Sequence, residues 1–320
     1  MIEILRSAAS MSVLVFAVTS MLSAGLSFTF RDIVAPLRRP NRVLRAAIAN
    51  FVLVPLLAAG IARALSLDPA QSIALILLGT AAGAPFVIKL VAIAAGEVAL
   101  ATSLLVLLVP LTVVLMPIVV PLLAPEAAVS ARAIAIPLTL TLILPLVLGL
   151  IIKDRAPRWT AILLPIARTA SSITLVVLLV ATTALNLRSV IDILASRAVV
   201  AVLLLVAGSF AIGYGVASPY RERRLVLGLG TAQRNIAAAT VVAVEDIKNN
   251  DTLVLVVVAS IIDLIVLIPL ARWLRASRME VANERQQEWR EAGNGLAQTR
   301  ASVPRREDRN DHHGLGARLS

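Results

Sequence analysis

The chain has no cysteine, and its two histidines, His312 and His313, sit together near the C-terminal end. Disulfides, thiolate metal sites and cysteine nucleophiles are therefore excluded. So is a histidine-based active site in the body of the chain. Charge is scarce as well, at 15% of residues, against about 25% in a soluble domain. Hydrophobic residues reach 59% and the mean hydropathy is +0.90. A disordered chain and an ordinary water-soluble enzyme are both ruled out. No HExxH, no pair of intramembrane aspartates and no serine–histidine or serine–lysine constellation is present, so no enzyme, cofactor or metal site is expected.

The apolar residues concentrate between residues 9 and 275, in runs near the 20 residues that a membrane-crossing helix needs. The expected fold is an all-α polytopic membrane protein with about nine transmembrane helices. Their spans are 9–30, 42–65, 70–94, 97–123, 132–152, 162–186, 194–218, 222–246 and 252–274. No small-residue cleavage site follows the first apolar stretch, so it reads as a span and not as a removed signal.

The net charge of +11 does not point to nucleic acid, because the basic residues lie between the spans. One set of connections and the exit of the last span hold Arg31, Arg38, Arg39, Arg42, Arg45, Lys153, Arg155, Arg158, Arg221, Arg223, Arg224, Arg272, Arg275 and Arg278. The opposite set holds Arg6, Arg63, Arg132, Arg188, Arg197 and Lys248. The excess of Lys and Arg marks the cytoplasmic side. It predicts a multi-pass protein of the cell inner membrane, N-terminus outside and C-terminus in the cytoplasm. Residues 1–275 form the expected transporter domain. Residues 276–320 are polar and of mixed charge and form an expected disordered cytoplasmic tail, with at most a short surface helix over Glu280 to Ala292.

The tetrapeptide Leu78-Gly79-Thr80-Ala81 returns as Leu229-Gly230-Thr231-Ala232, 151 residues later. At that offset the first four spans fall on the last four. The repeat halves are about 9–123 and 162–274, and 132–152 is left as an unpaired helix. Matching spans are five apart, so the second half is inverted. Inverted repeats with interrupted helices near the midplane mark secondary transporters. Two spans carry such interruptions. Gly79, Gly83 and Pro85 break the third; Gly228, Gly230 and the run Thr231, Gln233, Arg234, Asn235 break the eighth.

Four polar features lie within spans: Lys89 after the first break, Arg234 and its neighbours in the second, Asp263 in the ninth span and Asn50 in the second span. A charge at the bilayer centre costs roughly 2.5–3.5 kcal/mol on insertion scales, so such residues are candidates for function. The competing explanation is snorkelling, or an ion pair that only holds helices together.

These segments carry a resemblance. Gly230-Thr231-Ala232-Gln233-Arg234-Asn235-Ile236-Ala237-Ala238-Ala239 resembles the second crossover helix of bacterial members of the bile acid:sodium symporter family. Gly83-Ala84-Pro85-Phe86-Val87-Ile88-Lys89, then Gly96-Glu97-Val98-Ala99-Leu100, resemble the first crossover helix and its turn, and Met21 to Arg31 with Pro40 the segment before it. The resemblance implies a panel domain and a core domain, with two broken crossing helices in the core and an organic anion carried at their intersection. It also implies that the first of the ten helices of characterised members is missing here, leaving the fifth span unpaired. In sodium-coupled members, serine, asparagine and threonine side chains hold one Na⁺. Their positions here are Val87, Ile88, Ala101 and Leu105, and a shared acidic position is Leu229. These side chains cannot ligate a hard cation. Gln233 and Asn50 stand where family glutamines face sodium.

The expected function is a secondary transporter that moves a small organic anion by alternating access, without sodium at the usual sites. Lys89, Thr231, Gln233, Arg234, Asn235 and Asn50 are the expected substrate-binding residues. Protons carried by Asp263, or the substrate gradient alone, would supply the energy. The partners are the anion, protons and the lipid bilayer. A channel-like or structural membrane protein without a coupled cycle is the alternative.

Overall fold

The computed structural model describes residues 2–29, 40–217, 221–247 and 249–301. Arg31, Arg38, Arg39, Lys248, His312 and His313 lie outside the described residues. Among the described residues there is no strand. The helices are α1 (Ile2–Ser27), α2 (40–64), α3 (Pro69–Thr80), α4 (Val87–Ile93), α5 (Val98–Leu123), α6 (Ala131–Arg155), α7 (Pro157–Leu185) and α8 (Leu187–Leu194). Then come α9 (Arg197–Val216), α10 (Arg221–Ala232), α11 (Ile236–Val242) and α12 (Asn250–Ala301). The chain divides into two compact units, Met1–Trp273 and Leu274–Ser320.

Local sequence explains where these helices begin. Asp68 accepts the Gln71 N–H at 2.8 Å ahead of Pro69, which starts α3. Ser130 caps α6 through the Ala133 N–H at 3.2 Å, and Ser196 caps α9 through the Ala198 N–H at 3.1 Å. A capping oxygen satisfies one of the donors that a helix start leaves open. In α2 and α6 a π turn interrupts the α-helix, at Ala49–Leu53 and Thr139–Ile143. Such bulges often sit at functional positions, and the first carries Asn50.

Seven helices among the described residues are long and apolar enough to cross a membrane, where nine spans are expected. Met11–Ser27 and Pro69–Thr80 are apolar but shorter. The third span falls short because its helix stops at Thr80 and resumes at Val87. Over 276–301, within the segment expected to be a disordered tail, α12 continues as helix to Ala301. Its Glu, Gln, Arg, Ala and Met residues are good helix formers. Residues 302–320 lie outside the described residues.

Large apolar side chains on the outside include Ile118, Leu122, Leu140, Leu148, Ile166 and Val180. A continuous apolar exterior of this kind suits lipid and not water. Within the first unit, α1 packs on α6 and α7, while α2, α3, α9 and α10 pack among themselves. The α1–α6 contact is close because both sides are glycine. A side chain at Gly25 would strike the Leu146 carbonyl, and one at Gly149 would come within 2.7 Å of the Leu22 carbonyl. Small residues let helix backbones approach where no hydrophobic force drives them together.

Candidate functional site

Two helix interruptions meet inside the protein. The first, residues 81–86, separates α3 from α4. It turns at Gly83, whose φ of +80° is a conformation that side-chain-bearing residues rarely adopt. The turn lies directly on α5: a Cβ on Gly83 would come within 2.8 Å of the Val109 nitrogen. Thr112 of α5 serves both polar groups of Ala82. Its hydroxyl donates to the Ala82 carbonyl at 2.8 Å and accepts the Ala82 N–H at 3.1 Å.

The second interruption, residues 233–235, separates α10 from α11. Asn235 ties it to the first. Its N–H donates to the Ala81 carbonyl at 2.9 Å, and its Nδ2 donates to the Gly83 carbonyl at 3.0 Å. Its Oδ1 caps α11 by accepting the Ala238 N–H at 3.2 Å. Open backbone groups cost several kcal/mol each in a medium without water. Each break therefore supplies what the other lacks.

Arg234 lies beside this junction and is buried to 3% exposure. Its guanidinium faces neutral oxygens: Nη1 donates to Asn50 Oδ1 and to the Gly79 carbonyl, both at 3.5 Å, and Nη2 donates to Ser209 Oγ at 3.2 Å. These are long hydrogen bonds, so the group is surrounded rather than clamped. Its Nε has no partner among the described residues. Asn50 is oriented by two donations from Nδ2, to the Ala46 carbonyl at 3.0 Å and to Thr231 Oγ1 at 3.1 Å. Asp263 of α12, 4% exposed, accepts the Arg234 backbone N–H on Oδ2 at 3.4 Å. Its Oδ1 has no partner, and neither has Gln233 Oε1. Gln233 is anchored only by a long donation from Nε2 to the Arg234 carbonyl, at 3.4 Å.

The structure thus brings Asn50, Thr231, Gln233, Arg234, Asn235 and Asp263 into one buried cluster. It does not bring Lys89 there. Lys89 is exposed on α4, with its ammonium 5.9 Å from the Phe86 ring centre. Ser209 joins the cluster through Arg234 and Thr112 holds the first break through Ala82, neither having been singled out in the sequence. Each is one hydroxyl in an apolar helix, and only its partner reveals its role. Of the positions that would face sodium, Val87, Ala101, Leu105 and Leu229 are buried and Ile88 is half-buried. A side chain at Gly230 would run into Leu104 and meet Val87, so that region is filled by hydrocarbon.

A family model described as the Sodium Bile acid symporter family matches residues 13–193. The matched stretch includes Asn50 and the first break and ends before Arg234. No individual curated protein matches the sequence. With more than half its length matched and a helical body that carries seven membrane-length helices, this chain belongs to the sodium bile acid symporter family, whose members are membrane transporters and not enzymes.

Proposed function

We propose that the protein carries a small organic anion by alternating access, with Arg234 as the fixed cation of the site and no requirement for sodium. The observation that carries this reading is a guanidinium, fully buried at the junction of two broken helices, that is held by neutral oxygens and keeps one donor unused. Desolvating a charge is costly unless it is paired or has work to do. An anion arriving at Nε would complete the site. Gln233, Asn235, Thr231 and Asn50 place the guanidinium and supply further hydrogen-bonding groups. Lys89 lies outside this cluster, and its replacement by Ala is expected to weaken uptake less than any change at Arg234. Asp263 is the carrier of a coupling proton.

The inverted repeat supports a transport cycle. The two copies of the Leu-Gly-Thr-Ala tetrapeptide end at Ala81 and Ala232, and each leads directly into one of the two breaks. In this reading Met11–Ser27 and Pro69–Thr80 complete nine crossings. Helices α1, α6 and α7 form the panel, and the elements around the breaks form the core that moves against it.

Sodium dependence is the direct test. A metabolite screen by thermal shift on the purified protein identifies an anionic ligand. Its uptake into proteoliposomes is then compared in Na⁺ and in choline. Uptake is expected to be nearly unchanged, because the family's cation positions are hydrocarbon here. Uptake that disappears in choline would show that sodium finds ligands elsewhere. Counterflow on the same vesicles separates a carrier, which saturates and shows trans-stimulation, from a channel-like protein, which does not.

The proposed topology is tested separately. A fluorescent reporter that folds only in the cytoplasm should light up at the C-terminus and stay dark at the N-terminus. Two bright termini would require an even number of crossings and would remove the odd-offset inverted repeat.

A further inference from the structure

Among the described residues, four buried side-chain atoms have no hydrogen-bond partner: Thr182 Oγ1, Gln233 Oε1, Arg234 Nε and Asp263 Oδ1. Arg234 and Asp263 line the same small cavity, together with Ser260 one turn earlier on α12. The cavity measures about 10 Å³, close to the least that holds one water. The remaining walls are apolar, with Leu78 from α3, Val202, Leu205 and Val206 from α9, and Ile236 at the start of α11. Arg234 and Asp263 are the charged side chains among the cavity's lining residues.

Two of the unsatisfied atoms belong to residues that line this cavity, and they are of opposite kinds. Nε–H is a donor without an acceptor, and Oδ1 is an acceptor without a donor. A group that matches both carries an acceptor and a donor side by side. A carboxylic acid does so: its carbonyl oxygen accepts from Nε–H and its O–H donates to Oδ1. A bare carboxylate does not. It offers acceptors only and sets a second negative charge against Asp263, and two carboxylates that share a site hold one proton between them.

We propose that the cavity lined by Arg234 and Asp263 is the site for the substrate's carboxyl group, and that it takes a short aliphatic monocarboxylate together with one proton shared with Asp263. This rests on the organic-anion reading above and narrows it. Carboxylate and proton enter from one side and leave as the same pair on the other, with no covalent bond made or broken in the protein. Asp263 keeps the Arg234 backbone N–H on Oδ2 throughout, so the loaded site needs no rearrangement of the break. The alkyl part faces the hydrocarbon walls. The carboxyl displaces a water-sized volume, and the α9 side chains draw back to admit the rest.

The test uses the full-length purified protein, with propionate as probe and ethanesulfonate, which stays ionised, as control. Thermal stabilisation by each is titrated from pH 5.5 to 8. Propionate is expected to stabilise at low pH. The concentration needed should rise about tenfold per pH unit wherever binding takes up a proton. Ethanesulfonate should not stabilise. Adding propionate to weakly buffered protein near neutral pH should raise the pH by one proton per propionate bound, a readout that needs no variant. In Asp263→Asn the amide can donate to the carboxylate directly, so propionate binding should persist and lose its pH dependence. The carboxyl site is overturned if wild-type affinity for propionate does not change with pH, if ethanesulfonate binds equally well, or if Asp263→Asn keeps the parent's pH dependence. It is overturned too if propionate never binds while another class of organic anion does. In that last case the broader anion reading stands, whereas an absence of any anionic ligand in the metabolite screen removes both.

Discussion

Arg234→Ala is expected to abolish uptake and to leave little folded protein in the membrane. The substitution empties the space among Asn50, Gly79 and Ser209 and leaves Asp263 as the one charged side chain among the residues that line its cavity. Stranding the buried Asn50 Oδ1 and Gly79 acceptors costs about 1–3 kcal/mol each, a large share of the stability of a whole domain. The double replacement Arg234→Met with Asp263→Leu should recover folded yield and thermal stability, because no charged side chain is then left on the cavity. Uptake should stay absent. Arg234→Lys should fold better than the alanine variant and still fail to transport, since one ammonium cannot reach the three oxygens that the planar guanidinium spans. Size-exclusion profiles and melting temperatures in detergent read the stability, and proteoliposome uptake reads the function. An Arg234→Ala protein as stable as the parent would mean that the two charges do not depend on each other.

Asn235→Ala is expected to have the second largest effect. It removes the cap of α11 and leaves the Gly83 carbonyl buried without a donor. Loss of a cap costs roughly 0.5–2 kcal/mol, and a stranded buried acceptor about 1–3 kcal/mol more. Asn235→Asp separates the two roles. It retains the capping oxygen but has no donor for Gly83, and it sets a carboxylate against a carbonyl. The aspartate variant should therefore melt no higher than the alanine variant, and both should lose transport because the breaks are no longer joined. If Asn235→Asp matched the parent in melting temperature, the Asn235–Gly83 bond would have no part in holding the junction.

Some of this architecture was legible in the chain because bilayers impose simple rules. Long apolar runs between basic turns identify spans, since an unpaired backbone is not tolerated in lipid and helix is the local way to satisfy it. The breaks were legible because Gly83, Pro85 and the run Gln233-Arg234-Asn235 contradict a regular apolar helix. Asp263 and Arg234 stood out as charges at a depth where charge is costly. Lys89 stood out for the same reason, yet it lies on an exposed side of a seven-residue helix. Depth along a span can be counted from a sequence, but the direction in which a side chain points around a helix depends on what packs there. α12 also continues as helix past residue 275, where the composition offers no apolar face but does offer good helix formers.

The sequence by itself determined that this is a helical membrane protein, where the chain runs through apolar spans, and which few polar residues must be explained. Those follow from composition, spacing and the length of a helix relative to a bilayer, all of which are local quantities. Only the tertiary structure decided that Asn235 spends its hydrogen bonds on Ala81 and Gly83, more than 150 residues away. It alone placed Arg234 among neutral oxygens from α2, α3 and α9, and it alone left Arg234 and Asp263 on one cavity, each with a side-chain atom that has no partner among the described residues. The reason is physical. Satisfying a buried polar atom is a question of which distant groups arrive within about 3 Å of it, and that is settled by how the helices pack.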